Sequence, residues 1–160
     1  MKYNVGDKTV HPAHGVGEVV AIEERRIAGH AKHFYIIKIV ESGMTVMVPT
    51  DGTVRAGLRN IISKRDAEAV VATLKEREYA VTSQPWNRRY REYTEMLKSG
   101  SLIEVAKVLR DLSRLRSEKE LSFGERRLLE QARQLVVREV ALARRVKEDR
   151  IGAELDQIFA

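Results

Sequence analysis

Apolar and polar residues alternate along the first 62 residues, the period of strands with one face buried. Lys8-Thr9-Val10-His11 and Gly17-Glu18-Val19-Val20-Ala21-Ile22 read as short strands. Phe34–Val40 and Met44–Val48 read as two more, rich in β-branched residues. A fifth is expected at Leu58–Ile62. Gly6-Asp7, Gly15, Ala28-Gly29 and Ser42-Gly43 fall between them as turns, and Gly43 between two apolar runs predicts a tight hairpin. His30 and His33 are placed in or beside the Ala28-Gly29 turn. Pro49 has no N–H for a ladder, so it belongs at a strand end or on a sheet edge. Five short strands in about 60 residues point to a small, strongly bent sheet of the SH3 or Tudor type.

From Ser63 the period becomes helical. Ser63, with Asp66 three residues on, caps a helix bearing Ala67, Val70, Val71 and Leu74. Pro85 pre-sets the backbone for a second helix with the stripe Trp86, Tyr90, Tyr93 and Leu97, and Gly100 stops it. Ser101-Leu102-Ile103-Glu104 is a capping box for a third, bearing Val105, Val108, Leu109, Leu112 and Leu115. Ser122-Phe123-Gly124-Glu125 is a second box, opening a long helix to about Lys147. A last short helix carries Ile151, Leu155, Ile158 and Phe159. The expected fold class is α+β: a bent β domain over 1–62, then a compact five-helix domain over 63–160.

Composition sharpens this picture. The 160 residues are 43% hydrophobic and 32% charged, too apolar for a disordered chain. The 29 Lys and Arg exceed the 23 Asp and Glu, a net charge of +6 that suits an acidic partner such as nucleic acid. The excess is spread over both halves, so local clusters matter more than any tail. With no cysteine, disulfides, thiolate zinc sites and cysteine nucleophiles are excluded, and a reducing cytosol is the natural setting. No apolar run approaches the roughly 20 residues of a membrane span, and the N-terminus has no apolar signal core. A soluble cytoplasmic protein is expected.

The densest chemistry is Trp86-Asn87-Arg88-Arg89-Tyr90-Arg91-Glu92-Tyr93, with the sole tryptophan and three arginines. On a helix, Trp86, Tyr90 and Tyr93 share one face and Arg88 and Arg91 another. Guanidinium groups bind phosphates in a planar, bidentate manner, and an aromatic at a helix start can wedge into a base step. The plainer reading makes the aromatics core and the arginines a solvated face. Lys107, Arg110 and Arg114 share a helix face that could track phosphates, although Asp111 and Glu118 dilute it. His11 and His14 flank Pro12-Ala13 without helical ligand spacing, so no metal site is expected. Gly15-Val16-Gly17 lacks the Lys-Ser or Lys-Thr of a phosphate-binding loop, and no hydrolase or metalloprotease motif occurs. No catalytic residue, cofactor or small-molecule ligand is expected.

Gly6-Asp7 followed by His11-Pro12-Ala13-His14-Gly15-Val16-Gly17 resembles the opening of the CarD/CdnL family of bacterial transcription regulators. Met44-Thr45-Val46-Met47-Val48-Pro49 and Gly57-Leu58-Arg59 resemble it too. So do Trp86-Asn87-Arg88-Arg89-Tyr90, Val105–Leu112 and Leu121-Ser122-Phe123-Gly124-Glu125-Arg126, in the same order. The chain is similar to compact CdnL-type members from about Val5 to Phe159. The resemblance implies that the Tudor-like domain binds the β subunit of RNA polymerase through strands around Arg25, Ile37, Met47 and Pro49. It implies that the helical domain contacts promoter DNA at the upstream edge of the bubble, near the −10 element, and stabilises the open complex. The family tryptophan, a minor-groove wedge, is Trp86 here, with Arg88, Arg89 and Arg91 beside it. Lys107 and Arg110 join the candidate DNA-binding set. Some relatives carry Arg at the position of Met47, which leaves a hydrophobic or strand-pairing contact there. The chain is expected to be a monomer that reaches the nucleoid through polymerase. The alternative from residues alone is a free-standing RNA-binding or ribosome-associated module.

Overall fold

The computed structural model describes residues 2–76 and 86–160. The fold is α+β, an antiparallel sheet followed by helices, and the chain separates into two compact units, Met1–Ile61 and Ile62–Ala160.

The first unit contains β1 (Lys8–His11), β2 (Gly15–Ile27), β3 (His30–Ile39), β4 (Thr45–Pro49), a one-turn helix α1 (Thr53–Ala56) and β5 (Arg59–Asn60). The strands form one antiparallel sheet in the order β4-β3-β2-β1-β5, so β4 lies on an outer edge. Side-chain alternation sends Tyr35, Ile37 and Ile39 of β3 into a core shared with Tyr3, Val19, Val48 and Leu58. Val20 is an extra residue in β2: the register steps from Val19↔Ile37 to Ala21↔Ile36. Such a bulge adds twist and curvature. Gly17 has no room for a side chain, since an added Cβ would lie 2.5 Å from Ile37 Cγ2 on β3.

Several details depart from the sequence expectation. The β3–β4 connection spans 40–44 and is looser than a two-residue hairpin. Gly43, at φ 72°, donates its N–H to Ile39 O at 2.8 Å. The tight turn is instead Ala28-Gly29, both at positive φ, between the paired residues Ile27 and His30. His30 stands directly beside this turn, as expected, and His30 and His33 both belong to β3. The fifth strand shortens to Arg59–Asn60. Helix α1 was not foreseen, because four residues are too few to show a helical period.

The second unit contains α2 (Lys64–Lys75), α3 (Trp86–Lys98), α4 (Leu102–Arg116), α5 (Phe123–Arg144) and α6 (Glu148–Ile158). Helix α4 is central, with Val105, Ala106, Val108, Leu109 and Leu112 buried against α2, α3 and α5. Ser63 Oγ accepts from Asp66 N–H and caps α2. Ser122 and Glu125 form the complete reciprocal box that opens α5. At α4 only half a box forms, with Ser101 Oγ accepting from Glu104 N–H. The Ser101 N–H is satisfied by Ser99 Oγ, and the Glu104 carboxylate pairs with Lys107. Helix α5 stops at Arg144, short of Lys147, because Arg145 turns into the left-handed region at φ 58°. Pro85 and the Ser83-Gln84 segment before it lie outside the described residues.

Candidate nucleic-acid and polymerase interfaces

Trp86 opens α3 and is half-buried on the rim of the helical core, neither wholly core nor wholly projecting. Tyr93 is half-buried and Leu97 buried, as the stripe requires, but Tyr90 is 44% exposed. The Trp86 and Tyr90 rings stand 5.7 Å apart. Arg88 and Arg91 are exposed, and Arg88 pairs only loosely with Glu92, at 3.6 Å on the same helix. An exposed pair of that kind is weak and yields readily to a phosphate.

Arg89 behaves differently. Its side chain is mostly buried, its guanidinium carbon lies 5.4 Å from the Trp86 ring centroid, and Nη2 is 4.0 Å from Glu125 Oε2. Burial raises the Glu125 carboxyl. The hydrogen bonds from Ser122, together with the nearby Lys119 and Arg89 charges, outweigh this and hold it below the usual carboxylate range.

The stripe of Lys107, Arg110 and Arg114 does not form a phosphate track. Arg110 is 8% exposed, donates to Glu76 Oε2 at 2.6 Å and to Asp111 Oδ1 at 3.1 Å, and so leaves the DNA-binding set. Asp111 lies beside it with its pKa raised by burial, which outweighs the opposing effect of Arg110. Lys107 is half-exposed and paired with Glu104. Arg114 reaches back to Leu74 O and Glu76 O. These arginines cross-link helices, a role that periodicity cannot distinguish from a cationic surface.

The structure adds cations that sequence spacing passed over. Between α3 and α5 lies a groove of about 230 Å³ lined by Tyr90, Thr94, Lys98, Gly124, Arg127, Leu128 and Gln131. The outer side of α3 bears a shallower one of about 550 Å³, lined by Asn87, Tyr90, Arg91, Thr94, Glu95 and Lys98. Among the described residues, no ion pair engages Arg91, Lys98 or Arg127. Phe123, in the first turn of α5, is 73% exposed next to Gly124, on which Trp86 rests. In the sequence Phe123 reads only as part of the cap that opens α5.

In the first unit, the bonds from Ile39 N–H to Met44 O and from Thr50 N–H to His33 O set the phase of the β3–β4 ladder. By antiparallel alternation Val46 and Val48 bond inward to β3, while Thr45 and Met47 aim N–H and C=O off the edge. Met47 is 43% exposed, and Pro49 is half-buried with its carbonyl accepting from Gly52 N–H. Ile37 is 0% exposed and belongs to the core, so its side chain is not offered to a partner. Arg25 is exposed on the two-stranded part of the β2–β3 hairpin. It pairs with Glu23 and lies opposite Lys32, two residues along the strand from the row of Pro49.

Among the described residues, no group of three or more His, Cys, Asp or Glu is placed to hold a metal ion, and no helix is long and apolar enough to cross a membrane.

Both units, the open-edged sheet and the helical unit with its aromatic–arginine corner, are matched by families of known proteins. Residues 3–62 match the CarD-like/TRCF RID domain, and residues 69–156 match the CarD C-terminal domain. The chain belongs to the CarD/CdnL family. It is 30% identical over 149 residues to "Putative transcription factor YdeB" of Bacillus subtilis (strain 168), a match covering 93% of this chain and 97% of that protein. It is also similar to the solved structure "CdnLNt from Myxococcus xanthus", with 44% identity over 39% of this chain and 89% of that one, at a TM-score of 0.34.

Proposed function

We propose that this protein regulates transcription initiation by binding the β subunit of RNA polymerase with the open edge of β4 and stabilising the promoter open complex with α3. The carrying observation is the pairing, in one chain, of a CarD-like/TRCF RID domain with a CarD C-terminal domain whose α3 starts at a half-exposed tryptophan. Thr45 and Met47 receive a polymerase strand by main-chain hydrogen bonds, and the Met47 side chain supplies apolar contact. Arg25 contributes from the neighbouring hairpin. Trp86 wedges into the minor groove at the upstream edge of the bubble, near the −10 element. Arg88 and Arg91 hold flanking phosphates, with Lys98, Arg127 and Phe123 extending the surface. Because polymerase holds the protein at the promoter, the DNA contact acts at high effective concentration and its own affinity can be low. The shift toward open DNA equals the difference in affinity for open over closed DNA, and no covalent chemistry is involved.

The test is promoter opening by the cognate polymerase, followed with a fluorescent reporter in the −10 region. Wild-type protein is expected to lengthen the open-complex lifetime, and folded Trp86→Ala is not. No effect of wild type on several promoters overturns the proposal.

A further inference from the structure

The sole tryptophan has more holding it than its own helix supplies. A residue in the first turn of a helix has several staggered side-chain positions open to it. Here the Trp86 ring is confined from two sides. Arg89, three residues on and on the same side of α3, places its guanidinium carbon 5.4 Å from the ring centroid. On the α5 side, a Cβ added at Gly124 would lie 3.2 Å from Trp86 Cζ2, so the ring rests on helix backbone that has no side chain.

Arg89 is itself held. Glu125 is 2% exposed, and its Oε1 accepts from Ser122 N–H at 2.9 Å. Its Oε2 faces Arg89 Nη2 at 4.0 Å, while exposed Lys119 shares Oε1 at 3.6 Å. Arg89 Nε and Glu125 Oε2 are both buried without a hydrogen-bond partner. Orphaned polar atoms are costly, and an apolar pair would pack this seam without that cost. A buried charge pair beside an aromatic ring makes sense if it fixes the orientation of that ring.

We propose that Arg89 and Glu125, with the bare backbone at Gly124, form a seat that presents Trp86, so that both are positioning residues and Arg89 is not a phosphate contact. The proposal rests on the reading of Trp86 as the wedge. The two can fail separately, because Trp86 fluorescence reports on the seat without DNA or polymerase.

The full chain is compared with Glu125→Gln, Arg89→Gln, the double variant, Gly124→Ala and Trp86→Ala. Glutamine at position 125 preserves the capping box and removes only the charge, so that variant stays folded. Acrylamide quenching of Trp86 is expected to rise in both single variants. Open-complex lifetime should fall about three- to tenfold in each, the span of one ring–cation contact. The double variant should be no worse than Arg89→Gln, because the residues act through one another. The salt dependence of DNA binding should match wild type. Gly124→Ala should shift Trp86 emission, because the ring must give way to a Cβ only 3.2 Å from its Cζ2.

If Glu125→Gln leaves quenching and lifetime at wild-type values while Arg89→Gln lowers the salt slope by about one, Arg89 is a phosphate ligand and the seat is disproved. If Trp86→Ala has no effect on lifetime, the wedge reading falls, and quenching alone decides the seat: a rise supports it and no change refutes it.

Discussion

Arg110 Nη1 donates to Glu76 Oε2 at 2.6 Å across 34 residues of sequence, which joins the end of α2 to the middle of α4. Its Nε meanwhile binds neighbouring Asp111. Removing the guanidinium leaves a half-buried carboxylate at Asp111 without its cation. Arg110→Ala is therefore expected to destabilise the protein by about 1–3 kcal/mol, a moderate figure because Glu76 remains solvated. It should leave the salt dependence of DNA binding unchanged. Urea denaturation and a salt titration check both.

The edge of β4 allows the main-chain and side-chain parts of the polymerase contact to be separated. The Met47 N–H faces off the sheet, so Met47→Pro removes a donor that the fold does not use. The variant should stay folded yet bind the polymerase β subunit at least about tenfold more weakly, the loss of a strand-addition hydrogen bond and its neighbours. Ile37→Ala should act otherwise, lowering stability by about 2–5 kcal/mol because it opens a hole in the core. Pull-down or calorimetric titration with β, beside a thermal melt, separates the two.

Arg88 and Arg91 are exposed cations on the helix that Trp86 opens. If each neutralises one phosphate, Arg88→Gln and Arg91→Gln should each lower the slope of log affinity against log salt by about one, similarly for all promoter sequences. Unchanged slopes in both variants would remove them from the DNA interface.

His11 makes the first unit sensitive to acid. Its pKa is lowered by burial and by the charge of His14, whose ring centroid is 4.8 Å away, and its Nδ1 accepts from Ala13 N–H. A base with a depressed folded pKa binds fewer protons folded than unfolded. Its contribution is complete above the ordinary histidine value of about 6.5 and is lost as pH falls through the lower folded value. Urea midpoints from pH 7.5 to 5 should fall more steeply for wild type than for His11→Gln.

Local signals carried the fold a long way. Alternation located the strands of the sheet, period and caps located α2 to α6, and Pro49 was recognisable as an edge residue because it lacks an N–H. Short-range features were less visible. The half-formed box at Ser101 depended on Ser99 and Lys107 competing for its partners. The left-handed Arg145 ended α5 without a glycine to announce it.

The amino-acid sequence by itself determined the α+β order, the family motifs and the aromatic–arginine segment that starts α3, since these follow from residue spacing along one chain. Tertiary structure alone decided which charges serve the fold and which face solvent. Arg110 and Arg91 look alike on a helical wheel, yet Arg110 meets Glu76 from another helix while Arg91 meets no carboxylate among the described residues. Ile37 and Met47 both lie on apolar strands, and only the sheet order makes the second an edge residue. The physical reason is the same in each case. Burial and ion pairing depend on groups brought together from distant parts of the chain, whereas period and capping depend on neighbours within a few residues.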